Sequence, residues 1–362
     1  MSMFIPAAKP LIGDEERAAV DRVLASGGIA QGPEVAAFES AFGAQLVDGR
    51  TCVAVNSGTA GAHLGLLACG VGPGDEVIVP SFTIAATANS VALTGATPVF
   101  ADIDPQTFCL DPASVESLVT ERTAGIMPVH LYGHPADMPA LQAIADRHGF
   151  RIFEDAAQAH GAALNGRPVG SFGDFAMFSL YPTKNMTAGE GGMDSCATEE
   201  IARNLRLLRN QGMERRYENE VVGFNARMTD IHAAIGRVQL TKLSAWTKQR
   251  QDNAAFFDRG LDGVTVPFVA EGATHVYHQY TIEVDNDRDG FAQALADEHN
   301  IGTGVYYPIP NHRLPSFDLT LDLPNTEAAA LKVLSLPVHP SLDDNDRERI
   351  VTAVNAVAKA GA

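Results

Sequence analysis

The sequence contains no apolar run approaching the roughly 18 residues that a membrane-spanning helix needs. Its N-terminal segment, MSMFIPAAKPLIGDEE, lacks the apolar core and cleavage site of a secretory signal peptide. Low-complexity tracts and internal repeats are also absent. We therefore expect a cytoplasmic protein without a membrane partner.

Cysteines are few and scattered along the chain. Cys52, Cys69, Cys109 and Cys196 form neither a CxxC pair nor the spacing of a metal site. Three of them lie in apolar surroundings typical of strand or helix interiors. Reduced, buried thiols are the expected state, as in cytoplasmic proteins.

Basic residues are fewer than acidic ones. The chain has 26 Lys and Arg and 44 Asp and Glu, which give a formal net charge of −18. Nucleic acid is therefore disfavoured as a partner, since binding to it needs clustered Lys and Arg. Lysine is rare, at positions 9, 184, 242, 248, 332 and 359. Lys184 thus stands alone between residues 10 and 241, which makes it a candidate for a specific role.

A chain of 362 residues is longer than one hydrophobic core usually serves, so we expect two domains that share a cleft. We predict a large α/β domain at residues 1–245 and a smaller C-terminal α+β domain at residues 246–362.

Short apolar runs alternate with helical stretches in the first domain. The predicted strands are Cys52–Asn56, Glu76–Val79, Pro98–Asp102, Gly125–Val129, Arg151–Glu154 and Phe175–Ser179. Helices are predicted between them at Gly58–Ala68, Thr83–Leu93, Pro112–Val119 and Met138–His148. Several strands are apolar at consecutive positions, as expected for strands buried on both faces. The alternation predicts a doubly wound α/β domain with a central, mostly parallel sheet.

The C-terminal part follows a long helix predicted at Asp230–Gln251. Its apolar residues Ile231, Ala234, Ile235 and Val238 have the i, i+3, i+4, i+7 spacing of one buried helical face. A strand, a helix, a second strand and a final helix are predicted beyond it, at His278–Val284, Phe291–Asn300, Gly302–Tyr307 and Asp343–Lys359.

Polar residues follow the predicted strands at the sheet edge where ligands bind in open α/β folds. Ser57-Gly58-Thr59 follows the first strand and opens a helix, whose free amides and positive dipole end favour a phosphate. An ordinary helix cap is about as good an interpretation of these three residues. A dinucleotide site is not indicated, because the glycines at Gly70–Gly74 have the wrong spacing and precede a strand.

Asp155 and Gln158 follow the fifth strand and lie one helical turn apart if a helix starts there. A carboxylate here could bind a ribose, a metal or a ring nitrogen, or cap a helix. A metal would need more His or carboxylate ligands than His160 supplies.

Lys184 follows the sixth strand, in a loop that begins after Ser179 and leads to Gly189-Glu190-Gly191-Gly192. A lone loop lysine is more often exposed than catalytic, but this one lies at the same sheet edge as the other polar residues. Desolvation lowers the pKa of a lysine and makes the neutral amine available for a Schiff base.

These residues together fit a site for pyridoxal 5'-phosphate (PLP). Lys184 would hold the aldehyde carbon and then transfer protons, and Asp155 would keep the pyridine nitrogen protonated. Gln158 could donate to the ring hydroxyl, while Ser57, Gly58, Thr59 and Ser179 would bind the phosphate.

Longer motifs resemble the DegT/DnrJ/StrS sugar aminotransferases, PLP enzymes with the fold of aspartate aminotransferase (fold type I). The resemblance runs nearly from end to end. It includes GGIAQGPEVAAFE, NSGTAGAHL, GDEVIVPSFT, PVHLYGHPADM, FEDAAQAHGA, FSLYPTKNMTAGEGG, GFNARMTDIHAAIGRVQL, YYPIPNH and LSLPVHP. The Ser-x4-Lys spacing of Ser179 and Lys184 is its most specific feature, together with Glu-Asp-Ala-Ala-Gln.

The resemblance implies an aminotransferase that moves an amino group from glutamate or glutamine to a keto sugar carried on a nucleotide. The cycle would be ping-pong and pass through pyridoxamine phosphate. The resemblance further implies a homodimer with active sites at the interface, where Asn225 would reach the partner's phosphate group. The residues alone allow Asn225 to be a turn residue before a helix. Tyr307 and His312 match the region that lies near substrate.

Three positions depart from the family pattern. Ile84 replaces an aromatic residue that covers the PLP ring, Tyr306 replaces a histidine, and His232 replaces glutamine or leucine. Ring packing would then involve Ile84 or a neighbour. Two alternatives stay open on the sequence: a cyclitol aminotransferase acting on a keto-inositol, and a PLP-binding regulatory protein without turnover.

Overall fold

A computed structural model of the chain describes residues 3–361. The strands are β1 Thr51–Val55, β2 Glu76–Pro80, β3 Thr97–Ala101, β4 Thr123–Ile126, β5 Arg151–Asp155, β6 Ala163–Leu164, β7 Arg167–Pro168, β8 Phe175–Ser179, β9 Gly192–Cys196, β10 Ala273–Thr274, β11 Tyr280–Glu283 and β12 Val333–Leu336. All six strands predicted in the first part of the chain are present, with ends shifted by up to three residues.

The helices are α1 Asp14–Ser26, α2 Pro33–Leu46, α3 Gly58–Ala68, α4 Ala86–Leu93, α5 Pro112–Leu118, α6 Met138–His148, α7 Glu199–Arg209, α8 Asp230–Gly260, α9 Arg288–His299, α10 Pro324–Lys332 and α11 Asp344–Gly361. No helix among residues 3–361 has both the length and the apolar character needed to cross a membrane.

A seven-stranded sheet forms the centre of the first part of the chain, in the order β1-β9-β8-β5-β4-β2-β3. The strands from β8 to β3 all pair in parallel. The predicted mostly parallel sheet is therefore confirmed. β9 was not predicted, and it runs antiparallel between β1 and β8.

Helix α3 lies close against this sheet because glycine occupies the positions that face it. A Cβ on Gly61 would lie 2.7 Å from the Asp194 carboxylate oxygens of β9, and one on Gly65 would overlap the Phe175 ring of β8. The first turn of α3 is thereby held near the ends of β8 and β9, where the candidate site lies.

A two-stranded antiparallel sheet of β11 and β12 lies in the C-terminal part. The strand predicted at Gly302–Tyr307 was wrong, because only Gly304 pairs, through two hydrogen bonds with Ser335 of β12. The chain instead leaves β12 after Gly304 and carries Tyr307 to the wall of the candidate site.

Helix α8 connects the two parts as one continuous helix of 31 residues. Its N-terminal half packs against α1 and α2, and its C-terminal half reaches the core that contains Phe257, Tyr280 and Leu336. The domain boundary predicted at residues 245 and 246 falls inside this helix, and the division stays a prediction.

Candidate active site

A cavity of about 420 Å³ opens at the carboxyl ends of the parallel strands. Most of the predicted site residues line it: Ser57, Gly58, Thr59, Asp155, Gln158, Ser179, Lys184 and Tyr307, together with Ile84. The fold thus brings together side chains that lie up to 250 positions apart in the sequence.

The first turn of α3 forms one end of the cavity. Ser57 is the N-cap residue, and its Oγ accepts a hydrogen bond of 3.1 Å from the Ala60 amide. The amides of Gly58 and Thr59 are in the first turn, where a helix offers no internal acceptor. A Cβ on Gly58 would lie 2.9 Å from Met177 Sδ, so glycine is needed for this close approach to β8. The arrangement is that of an anion-binding helix terminus.

Asp155 is buried at the end of β5. Thr87 Oγ1 donates a hydrogen bond of 2.8 Å to its Oδ2, and the Ala157 amide donates one of 3.1 Å to Oδ1. Burial raises the pKa of Asp155, while these two hydrogen bonds and the charge of Lys184 act in the opposite direction. The carboxylate is therefore fixed in orientation and would gain from a positively charged partner.

Lys184 lies in the loop after β8 with its amine largely buried. Burial lowers the pKa of this amine to about 8, and the negative charge of Asp155 limits the shift. Among residues 3–361, Lys184 Nζ has no hydrogen-bond or ion-pair partner. A buried, unpartnered lysine with a lowered pKa can act as a nucleophile near neutral pH.

Gln158 is held between two tyrosines. Its Oε1 accepts a hydrogen bond of 2.6 Å from the Tyr132 amide, and its Nε2 donates one of 3.0 Å to the Tyr307 hydroxyl. Tyr132 has a left-handed backbone (φ 58°), and its hydroxyl donates to the Tyr306 carbonyl. The loop after β4 and the segment before Pro308 therefore fix the Gln158 amide together.

Two predicted site residues do not line the cavity. Asn225 is exposed and forms a backbone bridge with Asn210. His312 is buried, and its Nδ1 lies 2.7 Å from Ser81 Oγ. Tyr306 and His232 also depart from the family pattern, and only Tyr306 lines the cavity. His232 packs at the start of α8, where its ring would lie 3.4 Å from a Cβ placed on Gly189.

Sequence reasoning gave no role to several other wall residues, which are Ala86, Tyr132, Ala157, Met177, Tyr181, Thr183, Glu190, His278 and Gln279. It also missed Thr87, which lies behind the wall. The strand-end argument gave no signal for His278 and Gln279, since they come from the C-terminal part of the chain. Glu190 was visible beside the glycine cluster but received no role.

The residues present fit PLP. An unpartnered lysine amine, a buried carboxylate and the amides of a helix N-terminus line the same cavity, and they match the aldehyde, ring nitrogen and phosphate of that cofactor. No group of three or more His, Cys, Asp or Glu side chains placed to hold a metal ion is found within residues 3–361.

Residues 10–355 match the family model described as the DegT/DnrJ/EryC1/StrS aminotransferase family. The chain belongs to this family. The family is PLP-dependent, so the predictions of an aminotransferase and of its cofactor are confirmed.

Two characterised relatives are named as transaminases of nucleotide-linked sugars. The chain is 44% identical to the UDP-N-acetyl-3-dehydro-alpha-D-glucosamine 3-aminotransferase of Acidithiobacillus ferrooxidans, over 82% of this chain and 82% of that protein. It is 41% identical to the dTDP-3-amino-3,4,6-trideoxy-alpha-D-glucose transaminase of Streptomyces venezuelae, over 98% of this chain and 95% of that protein.

A solved relative gives the same fold. The NtdA protein of Bacillus subtilis, solved with bound cofactor PMP, superimposes with a TM-score of 0.88 at 32% identity. The match covers 96% of this chain and 83% of that one. The predicted fold of the PLP-dependent sugar aminotransferases is therefore confirmed for this family member.

Proposed function

We propose that this family member transfers an amino group from glutamate or glutamine to a keto sugar carried on a nucleotide, in two half-reactions that share one cofactor. The observation that carries the proposal is the unpartnered Lys184 amine in one cavity with the buried Asp155 carboxylate and the α3 N-terminus. The names of the two transaminase relatives support a 3-keto sugar linked to UDP or dTDP.

The phosphate of the cofactor would bind at the first turn of α3. The amides of Gly58 and Thr59 would donate to it, and the hydroxyls of Ser57 and Ser179 would lie beside it. Partial positive charge at the helix terminus favours the dianion. The absence of a side chain on Gly58 supports this assignment, because it lets the helix approach β8.

Asp155 would accept a hydrogen bond from the protonated pyridine nitrogen. That charged partner offsets the burial that raises the pKa of Asp155. Thr87 and the Ala157 amide hold the carboxylate in place. The amide of Gln158, which is fixed by Tyr132 and Tyr307, would donate to the ring hydroxyl.

Lys184 would hold the cofactor through its amine and would move the proton at the substrate carbon. The pKa of about 8 leaves a useful fraction of its amine neutral at physiological pH. When bound, PLP supplies an electron sink for the bond that loses this proton.

Roles in substrate binding are proposed for Tyr307 and His312. Tyr307 lines the cavity, so its ring can contact the sugar directly. His312 would act indirectly, through Ser81 and the segment that follows Tyr307.

We further propose a cytoplasmic homodimer in which Asn225 completes the partner's phosphate site. Exposed apolar side chains next to Asn225 support this, since Phe224 and Val222 are 43% and 92% exposed. Co-expression of Lys184→Ala and Asn225→Ala chains tests it, because each mixed dimer would have one intact site out of two. We expect about a quarter of the wild-type activity from the co-expressed mixture and about a half from purified mixed dimers. A monomer in solution would reject the assignment.

We also propose that residues 1–245 and 246–362 act as a large and a small domain joined within α8. Tyr307 and His278, which belong to the second of these, both line the cavity. The cavity would then lie in the cleft between the two domains.

The decisive experiment separates the half-reactions. Purified enzyme is mixed with glutamate and, separately, with glutamine. The amino acid that abolishes the absorbance of the aldehyde form of the cofactor is the donor. The aminated enzyme is then mixed with 3- and 4-keto sugars on dTDP and UDP and with keto-inositol. Return of the aldehyde absorbance with one nucleotide sugar supports the proposal, whereas a response to keto-inositol alone would favour a cyclitol aminotransferase. No response to any donor would indicate a binding protein without turnover.

A further inference from the structure

A histidine lies in the wall of the cavity, and the proposed mechanism gives it no role. His278 is 5% exposed and lines the same cavity as Lys184. The backbone on both sides of it is anchored. Arg250 Nη1 donates to the Tyr277 carbonyl at 3.0 Å, and the Gln279 amide donates to the Tyr132 carbonyl at 3.1 Å. The imidazole therefore has a fixed place in the wall.

Hydrogen bonds determine which ring nitrogen of His278 carries the proton. Asn185 Nδ2 donates a hydrogen bond of 3.0 Å to the Val276 carbonyl, which can only accept. This bond directs Asn185 Oδ1 to the imidazole, where it lies 3.3 Å from Nδ1. An amide oxygen also only accepts, so Nδ1 of His278 is the protonated nitrogen.

The imidazole is neutral at physiological pH. Burial lowers the pKa of His278 well below its ordinary value, and the nearby charge of Lys184 acts in the same direction. A neutral ring protonated at Nδ1 has a lone pair on Nε2. Within residues 3–361 no group donates to this Nε2, so the cavity wall presents a hydrogen-bond acceptor that a donor on the ligand can meet.

A sugar hydroxyl is the donor that fits. The cofactor groups already have their own proposed partners, and much of the remaining wall is apolar, as at Ile84 and Ala86. The keto group and the phosphates of a nucleotide sugar only accept hydrogen bonds, whereas its ring hydroxyls donate. Glu190 is another acceptor in the wall, but it is exposed to solvent and has a weaker need for a partner.

We propose that His278, held in one tautomer by Asn185, is a specificity-determining residue that accepts a hydrogen bond from a ring hydroxyl of the sugar substrate. The inference rests on the proposed function, since it requires a sugar in this cavity. Once a bound sugar excludes water from this part of the wall, the acceptor discriminates strongly against an analogue that lacks the matching hydroxyl, because that analogue leaves the acceptor unpaired.

Calorimetric titration of the holoenzyme with unreactive sugars tests the proposal. The probes are dTDP-glucose and UDP-glucose, each with its 2-, 3-, 4- and 6-deoxy analogues. We expect wild-type enzyme to bind one deoxy analogue at least tenfold more weakly than the parent sugar. His278→Phe should bind these two ligands equally, and the half-reaction with the amino donor should stay within twofold of wild type. His148→Phe, the same change on the exposed face of α6, is the matched control.

Each other outcome has a defined meaning. Equal discrimination by wild type and His278→Phe, or a donor half-reaction that falls together with sugar binding, would overturn the role of His278 and leave the proposed function intact. If neither nucleotide-sugar series binds wild-type enzyme, the proposed function and this inference both fail.

A second measurement does not depend on turnover or on a stable His278→Phe variant. Nitrogen-15 spectra of histidine-labelled, cofactor-free protein, assigned through His278→Gln, should show a neutral ring protonated at Nδ1. A ring protonated at Nε2 would contradict the inference.

Discussion

Thr87 Oγ1 donates a hydrogen bond of 2.8 Å to Asp155 Oδ2, and both side chains are buried. Thr87 belongs to α4 and Asp155 to the carboxyl end of β5. The bond therefore joins a helix to the ends of the strands on which the site is built. The Ala157 amide binds the other carboxylate oxygen. These two hydrogen bonds partly offset the burial that raises the pKa of Asp155, and they set the orientation of the carboxylate before any ligand binds.

Replacement of Thr87 by valine tests this relationship. Valine has the same shape as threonine but cannot donate, and a hydrogen bond to a charged group contributes about 1.5–3 kcal/mol. We expect the pKa of Asp155 to rise and PLP to bind about tenfold or more weakly, as measured by fluorescence titration of the cofactor-free enzyme. Thr241→Val, which removes an exposed hydroxyl on α8 and its hydrogen bond to the Val238 carbonyl, should bind PLP as wild type does. Wild-type affinity in Thr87→Val would show that the bond is dispensable.

The sequence was sufficient to find Asp155 but not Thr87. Asp155 ends an apolar strand, and the carboxyl ends of parallel strands meet at one edge, so its position followed from local pattern and topology. Thr87 lies inside a helix without distinctive neighbours. Its contact depends on how α4 is rotated against the sheet, and that rotation is fixed by the packing of side chains.

Gly58 gives a test of the phosphate site. A methyl group there would lie 2.9 Å from Met177 Sδ and 3.0 Å from Ser179 Cβ, so α3 would have to move away from β8. We expect Gly58→Ala to lose most of its PLP affinity and to unfold at a lower temperature, since overpacking typically costs about 1–3 kcal/mol. Gly72→Ala is the matched control, because its methyl group meets nothing within 4 Å. Equal PLP affinity of the two variants would argue against a phosphate at α3.

The lowered pKa of Lys184 predicts how its reactivity depends on pH. Only the neutral amine is nucleophilic, so the rate of trinitrophenylation of Lys184 by trinitrobenzenesulfonate, which releases sulfite, should rise about tenfold per pH unit up to about 8 in the cofactor-free enzyme and then level off. Asp155→Asn removes the charge that favours the ammonium form, and the midpoint should then fall. Mass spectrometry of the Lys184 peptide measures the rate. A midpoint near 10.5, the ordinary lysine value, would refute a buried amine.

Glu154, which precedes Asp155, has a structural role that can be measured as stability. Its oxygens accept hydrogen bonds from the amides of Gly170, Phe172 and Gly173, and from His130 Nε2 at 3.1 Å. His130 Nδ1 accepts from the Ala136 amide, so the proton is on Nε2. Burial alone would raise the pKa of Glu154, but these donors hold it below the ordinary value.

We expect Glu154→Gln to lower the free energy of unfolding by about 3–5 kcal/mol at pH 7, because an amide group cannot accept four hydrogen bonds. The pKa of Glu154 is lower in the folded state, so its stabilisation is complete above pH 4.5 and disappears as the pH falls through the folded value. Urea unfolding at pH 7 and pH 4 measures the difference in the free energy of unfolding between wild type and Glu154→Gln. This difference should be smaller at pH 4. Glu116→Gln on α5 is the control, because this half-exposed carboxylate pairs only with the surface residues Arg147 and His148 among the described residues. An equal effect in both variants would contradict the argument.

The unpredicted strand β9 shows a second limit of the sequence. Its five residues, Gly192 to Cys196, include Asp194, which is buried without a hydrogen-bond partner. A carboxyl at the centre of a buried strand contradicts the apolar pattern by which such strands are recognised. Gly61 of α3 leaves room for this carboxyl, and burial raises its pKa well above the ordinary value. Only the assembled structure shows that a neutral acid fits there.

Ile84 stands where the family resemblance implies an aromatic residue over the cofactor ring. It lines the cavity and is 48% exposed, so a larger side chain has room to extend over the ring. A stacked aromatic pair contributes about 0.5–1.5 kcal/mol beyond the buried area. We expect Ile84→Tyr to bind PLP about three- to tenfold more tightly, and Ile84→Ala to bind it more weakly than wild type. Equilibrium dialysis of PLP against the three proteins measures the order. If tyrosine and alanine at this position give the wild-type affinity, residue 84 does not cover the ring, and another wall residue such as Ala157 must provide the contact.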